Sequence, residues 1–324
     1  MIISQTPFRV SFSGGGTDLP AYYRQGHGAV LSVTIKSHMY VTVHKRFEPT
    51  FRVAYSKTEL AENLDELEHS LVREALRKTL IKRPLEVTTI ADVPAGTGMS
   101  SSSALTVGLL NALHAQQGRI PEREQLASEA CEIEIDILGH PIGKQDQYAA
   151  AYGGLNYIRF NSDESVDVCP VPITSETQEE LQNQLLLFFT EQKRDANQIL
   201  RQQTTDISSS FHVLTEMRNL VETMRQALTG SPDLEEFARC LNHGWELKRS
   251  LGGAITNEKI DAWYAAAKQA GAQGGKLLGA GGGGFLLIMA PPECHDKIRS
   301  SLGNPREIPF QIDPFGSRIV FISR

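Results

Sequence analysis

The sequence predicts an α+β protein of two domains, and three observations point that way. Its 324 residues exceed the one to two hundred usual for one domain. The first third is rich in β-branched and aromatic residues punctuated by glycine, whereas the middle of the second half has apolar residues at helical spacing. From Gly284 onward the chain returns to strand-like runs.

Strands are predicted at Ile2–Phe12, Ala29–Phe47 and Phe51–Tyr55, interrupted by Gly14-Gly15-Gly16 and by Gly26 and Gly28. Glu62–Leu80 carries Leu64, Leu67, Leu71, Leu76 and Leu80 at helical spacing, and Leu85–Val93 reads as a strand. Helices follow at Leu105–Gln117, Glu122–Leu138 and near Gln145–Ala151, then a strand at Leu155–Phe160. A soft boundary near residue 165 divides the chain into 1–165 and 166–324, and the lack of a Pro/Ser-rich linker predicts two domains in close contact. Beyond it come a strand at Leu185–Thr190 and helices near Arg194–Gln203, Ser208–Leu228, Leu234–Ser250 and Asn257–Gln269. Strands at Gly284–Met289, Arg306–Ile312 and Arg318–Ile322 close the chain, with a helix near Glu293–Leu302.

Composition narrows the function. Hydrophobic residues at 40% and charged residues at 22% are an ordinary globular balance, and no run approaches the eighteen or so apolar residues of a membrane span. The opening MIISQTPFRVSFS has no basic stretch followed by an apolar run, so a soluble, cytoplasmic protein with no membrane partner is expected. Thirty-two Lys and Arg against 38 Asp and Glu leave a charge of -6, which argues against nucleic acid while leaving room for a small phosphate. Cys131, Cys169, Cys240 and Cys294 form no CxxC pair and read as reduced thiols.

Three glycine-bearing segments stand out. Pro94-Ala95-Gly96-Thr97-Gly98-Met99-Ser100-Ser101-Ser102-Ser103-Ala104 lies between a predicted strand and a predicted helix. Glycines let such a loop close on a ligand, hydroxyls donate to it, and the helix N-terminus offers free N–H groups, so the segment reads as an anion cradle or, alone, as a Ser-rich N-cap. It lacks the Gly-Lys-Ser/Thr ending of a Walker A loop. Eight of the 27 glycines fall between Gly271 and Gly284, and Gly279–Gly284 satisfies GxGxxG. A strand rather than a helix follows, which excludes a dinucleotide fingerprint and leaves a tight connection or a wall of a polar site. Ser13-Gly14-Gly15-Gly16-Thr17-Asp18 is either a turn or a sugar-hydroxyl site.

Glu132, Glu134, Asp136 and Asp146 gather carboxylates at a helix end and the loop beyond. Mg²⁺ takes a few oxygen ligands plus substrate phosphates, and a carboxylate can accept the proton of an attacking hydroxyl; a solvated acidic face is the other reading. His140 beside them reads as structural.

Together and in this order, the segments resemble the GHMP kinase superfamily. Its Pro-x-x-x-Gly-Leu-x-Ser-Ser-Ala motif is matched by Pro94, Gly98, Ser101 and Ser102, with Met99 replacing Leu and Ser103 where Ala is frequent. Pro7-Phe8-Arg9-Val10-Ser11 matches the amino-terminal motif, and Lys276–Phe285 the carboxy-terminal one. Within the superfamily the likeness is greatest to bacterial D-glycero-D-manno-heptose 7-phosphate kinases, through Pro7–Asp18 and Pro141–Tyr148; fucokinase-type enzymes share much of it. Gly15–Leu19 keeps only Thr-Asp of the galactokinase element.

The resemblance implies the GHMP kinase fold, an ATP-binding amino-terminal domain and a ferredoxin-like carboxy-terminal domain. It implies ATP and Mg²⁺ as cofactors and a small-molecule sugar phosphate as substrate, phosphorylated at its anomeric hydroxyl for nucleotide-activated heptose synthesis. Pro94, Gly96, Thr97, Gly98, Met99, Ser100, Ser101 and Ser102 would bind the nucleotide, Ser102 and Glu134 the metal. Asp146 would be the base, one residue further from Pro141 than in mevalonate kinases, and Arg9 would steady the developing charge. Ser11, Gly15, Gly16, Thr17, Asp18, Gly281 and Gly282 would form the sugar site. For the substrate's own phosphate, Lys193, Arg194, Lys248, Arg249 and Lys276 are candidates, with Arg194 and Lys276 preferred because both stand where a strand meets a loop. Another sugar such as fucose, or a non-catalytic sugar sensor, is the alternative; the joint presence of Ser102, Glu134 and Asp146 favours the enzyme.

Overall fold

The computed structural model describes residues 1–191, 207–252 and 255–323. β1 (Ile2–Ser13) pairs antiparallel with β2 (His27–Lys45), whose 19 residues are long enough for its other edge to serve two further neighbours. Its second half pairs with β5 (Leu85–Ala91), and its first half with β6 (Leu155–Asn161). β3 (Phe51–Ala54) and β4 (Thr58–Ala61) extend one side, β7 (Val166–Pro170) continues from β6, and β12 (Arg318–Ile322) returns to lie against β1. The predicted boundary at 165 thus falls in the β6–β7 turn, and two strands from beyond it belong to the first sheet.

α3 (Ser101–Gln116) covers this sheet and is apolar nearly all round, as a helix buried on every side must be. It touches β1 where it has no side chain: a Cβ on Gly108 would meet Thr6 Oγ1 at 2.6 Å, and Ser4 Oγ donates to the Gly108 carbonyl at 2.7 Å.

The second sheet has the order β11-β8-β10-β9, built from β8 (Leu185–Phe189), β9 (Gly274–Leu277), β10 (Phe285–Met289) and β11 (Glu307–Ile308). Numbered in chain order this is 4-1-3-2, all antiparallel, the ferredoxin-like arrangement. The helices between are α7 (Ile207–Leu228), α8 (Leu234–Ser250), α9 (Glu258–Gln269) and α10 (His295–Ser301). Period-2 alternation divides the core cleanly. Leu185, Leu187, Phe285 and Leu287 join the cluster shared with the first sheet, whereas Leu186, Phe188, Leu286 and Ile288 pack with Trp245 and Tyr264. Phe12 meets Phe237 edge-on at 5.0 Å across the junction.

Several predicted elements change. The helix predicted over Glu62–Leu80 is only α2 (Ser70–Lys78); before it come β4 and a 3-10 turn at Leu64–Glu66 whose Asp65 N–H is capped by Asn63. The strand predicted over Arg306–Ile312 shrinks to β11 and an isolated bridge from Ile312 to Ile35, since Pro309 has no N–H to continue a ladder. β7, β9 and α6 (Ser175–Gln184) were not foreseen. The predicted helix Arg194–Gln203 lies outside the described residues. Among the described residues no helix is long and apolar enough to cross a membrane.

Candidate active site

A cavity of about 620 Å³ opens where the ends of β1 and β9, the loop before α3 and the loop before α5 (Gln145–Tyr152) meet. Its walls include Arg9, Ser11, Asp18, Ser102, Asp146 and Lys276.

The loop from Pro94 to Ser100 is shaped by backbone. Gly96 and Gly98 have φ of 76° and 78°, and Ser100, just before α3, also sits in the left-handed region at 64°. Thr97 Oγ1 donates back to the Pro94 carbonyl at 2.9 Å. Gly96, Gly98, Ser100, Ser101 and Ser102 line the cavity, while Met99 is fully buried and anchors the loop in the core. The first amides of α3 have no intrahelical acceptor, so the helix N-terminus presents free N–H groups here.

Arg9 joins this loop to the facing carboxylate. Its Nε donates to Asp146 Oδ1 at 2.7 Å, and its Nη1 to the Gly98 carbonyl at 2.7 Å. Asp18 is buried nearby, accepting from the Gly16 and Gln145 N–H groups at 3.0 and 3.3 Å. Burial, and then the charge of Asp146, push its carboxyl above the usual range. Gly143 is required there, because a Cβ would come within 2.1 Å of Asp18 Oδ2.

Glu134 lies in a π-helical stretch, Glu132–Ile137, that prolongs α4 (Arg123–Cys131). The wider turn sends Glu134 inward, with no exposed surface, while Asp136 faces solvent and Glu132 pairs with Lys78; the predicted acidic face is divided. Burial raises the Glu134 carboxyl to about 7, against the opposing pull of Ser103, Gln147 and Ser102. Gln147 Nε2 donates to Oε1 at 3.1 Å, and Oε2 is buried without a partner.

Lys276 is buried and donates to the Ser11 and Phe12 carbonyls at 2.8 and 3.0 Å. Burial, then the nearby Arg9, lower its ammonium to about 7. Lys248 donates to the Leu277 carbonyl at 3.2 Å and to that of Gly279.

Other expected site residues fall elsewhere. Thr17 is buried, its hydroxyl donating to the Gly14 carbonyl at 2.7 Å, so it builds the loop whose Gly15 and Gly16 line the cavity. Gly279 and Ala280 reach the cavity, but Gly281 and Gly282 lie against Ile255 and Asn257. The second glycine cluster packs backbone on backbone: a Cβ on Gly279 would meet Gly98 Cα at 2.4 Å, and one on Gly284 the Thr97 carbonyl at 2.2 Å. Lys193 and Arg194 lie outside the described residues. His140, read as structural, lines the cavity, as do Met39, Leu71 and Leu105 beside the Tyr55–His69 ring pair. No local pattern marks that apolar end, which comes from four separate segments.

The geometry of a helix N-terminus and carboxylates sharing one cavity is that of a phosphoryl-transfer site, and comparison with known proteins gives its class. The family model of the GHMP kinases N-terminal domain matches residues 69–154, and that of the C-terminal domain residues 218–305. The chain belongs to the GHMP kinases: it is an ATP-dependent phosphotransferase with an alcohol group as acceptor, a sugar kinase.

Among individual proteins it is similar to the D-glycero-alpha-D-manno-heptose 7-phosphate kinase of Campylobacter jejuni, 32% identical over 306 residues and 90% of each chain. Its structure is similar to that of a D-glycero-D-manno-heptose 1-phosphate kinase from Bacteroides thetaiotaomicron, with a TM-score of 0.83, 27% identity and 100% of both chains covered. It is 26% identical to the L-fucokinase/L-fucose-1-P guanylyltransferase of Bacteroides fragilis over 94% of its own length but only 37% of that longer protein.

Proposed function

We propose that this enzyme transfers the γ-phosphoryl group of ATP to the anomeric hydroxyl of D-glycero-D-manno-heptose 7-phosphate, giving the 1,7-bisphosphate for nucleotide-activated heptose synthesis. The observation that carries the chemistry is the Asp146 carboxylate on the wall of a cavity that also holds the N-terminus of α3, with Arg9 hydrogen-bonded to both sides. The heptose assignment draws on the likeness to the Campylobacter enzyme.

In this reading Asp146 accepts the proton of the C1 hydroxyl as its oxygen bonds to the γ-phosphorus and the bond to the β,γ-bridging oxygen breaks, releasing ADP. Pro94–Ser102 hold the phosphates, Arg9 faces the charge that develops between donor and acceptor, and Met39, Leu71 and Leu105 enclose the adenine. Ser11, Gly15, Gly16 and Asp18 receive the sugar, and Lys276, whose ammonium regains full charge beside a dianion, receives the 7-phosphate together with Arg194.

Among the described residues no three His, Cys, Asp or Glu side chains form a metal site by themselves. An ion held by Ser102, Glu134 and nucleotide oxygens fits Mg²⁺, and the unpartnered buried Glu134 Oε2 supports that fit. Bound there, Mg²⁺ would neutralise phosphate charge. ADP release measured with heptose 7-phosphate, heptose, fucose and galactose tests the proposal. Rapid turnover of heptose 7-phosphate alone is expected; equal turnover of unphosphorylated heptose, or preference for fucose, would overturn the assignment.

A further inference from the structure

Both acceptor-side segments, Gly14–Asp18 leading into α1 (Pro20–Tyr23) and His140–Asp146 leading into α5, lean on one residue that is not part of the cavity wall. Glu164, in the β6–β7 turn, accepts from Lys144 Nζ at 2.7 Å, Tyr23 Oη at 2.5 Å and Arg24 Nε at 2.6 Å. Its backbone carbonyl accepts a further bond from Lys144 Nζ at 3.0 Å. Lys144 stands two residues before Asp146, and its ammonium also lies 5.1 Å from the Tyr23 ring centre. Tyr23 closes the helix that follows Asp18. The segments therefore touch in front through Gln145 N–H on Asp18, and behind through Lys144 and Tyr23 on Glu164.

We propose that Glu164 is a positioning residue for the acceptor, holding Asp146 and Asp18 in register through Lys144 and Tyr23. The inference rests on the reading of those two aspartates as acceptor-facing. Two observations separate it from an ordinary surface ion pair, which contributes little. Glu164 itself is 42% exposed, but Lys144 and Tyr23, which it holds, are mostly or wholly buried, with side-chain exposure of 16% for Lys144, whereas Arg24, at 62%, is the ordinary surface partner. Glu164 also adopts a φ of +74°, where Gly or Asn fits more easily, so the position keeps a longer carboxylate at a conformational cost. Burial pulls that carboxyl up, but Lys144, Tyr23 and Arg24 outweigh it and hold it at about 2, so it stays ionised wherever the enzyme is assayed.

Glu164→Asn retains a residue at ease in the left-handed turn and removes the reach to Lys144. With whichever sugar the parent turns over best, KM for that sugar is expected to rise about tenfold while KM for ATP stays within twofold and the melting temperature barely moves. Lys144→Met is expected to raise the same KM by less, since Tyr23 and Arg24 still reach Glu164, and the double variant to exceed Glu164→Asn by less than the effect of Lys144→Met alone, because both remove the Lys144 bond to the Glu164 carboxylate. Amide hydrogen exchange supplies a readout independent of substrate: residues 14–19 and 140–146 are expected to exchange faster in Glu164→Asn, with 94–103 unchanged. Parallel rises in both KM values, additive single variants, or unchanged exchange in both segments would overturn the role. Inert heptose 7-phosphate beside another active sugar would instead overturn the substrate assignment alone.

Discussion

The ends of the cavity proposed for donor and acceptor are made by different means. The phosphate-holding part of the donor end is one run of chain, Pro94–Ser103, set by positive φ at Gly96, Gly98 and Ser100 and braced by backbone contact with Gly279 and Gly284, while its apolar part is assembled from separate segments. The acceptor end is drawn from β1, the loop that follows it, the loop before α5 and β9, and is held largely by side chains: Arg9 on Asp146, Asp18 on two amides, Lys276 on the Ser11 and Phe12 carbonyls. Backbone shape is intolerant of added bulk but indifferent to charge. Side-chain scaffolding depends on charge and hydrogen bonding, although Gly143 beside Asp18 admits no added bulk either, so most substitutions at the two ends are expected to fail differently.

The sharpest contrast comes from Asp146→Asn, which keeps the shape but removes the proton acceptor. Turnover is expected to fall by ~10²–10⁴-fold, with ATP affinity by calorimetry unchanged. Turnover within a few-fold of the parent would remove Asp146 from the base role. Gly279→Ala makes the opposite intervention, placing a methyl 2.4 Å from Gly98 Cα. Overpacking of this kind costs about 1–3 kcal/mol, and urea unfolding together with a raised KM for ATP, but not for the sugar, is the expected signature. A selective loss of sugar affinity would break the division between the ends.

Ser102→Ala and Glu134→Gln are each expected to raise the Mg²⁺ concentration giving half-maximal rate several-fold, since a small octahedral ion loses one oxygen ligand. Superimposable metal titrations would rule out both residues as ligands. Lys276 ties stability to pH. Its ordinary value of 10.5 falls to about 7 in the folded protein, so between those pH values the unfolded chain binds a proton that the folded one does not. Stability is therefore expected to rise with pH across that window, and Lys276→Met to flatten the rise. Parallel urea midpoints in parent and variant from pH 7 to 10 would contradict the burial of a titrating ammonium.

The same contrast explains what could be read from the sequence. The donor loop was legible because strand, glycines, serines and helix are contiguous, and α8 because Asp233 caps an uninterrupted apolar periodicity. The leucine spacing of Glu62–Leu80 misled because Leu64 and Leu67 pack on the core from a 3-10 turn rather than from a helix. β9 offered no strand signal: two of its four residues are glycines, and tertiary crowding demands at least one of them, since a Cβ on Gly275 would meet the Leu287 carbonyl at 2.5 Å. Asp18 and Asp146 could be named from motifs, but the bonds that bring them to one cavity, Arg9 to Asp146 and Gln145 to Asp18, run between residues more than a hundred positions apart, and no local pattern announces Glu164.

The proposed reaction is defined by where the new phosphate goes. Phosphorus NMR of the reaction with ATP and heptose 7-phosphate decides this for the present enzyme. The expected product keeps the phosphate at C7 and gains one coupled to the anomeric proton. A new phosphate at any other carbon, or transfer only when heptose 1-phosphate is the acceptor, would contradict the account.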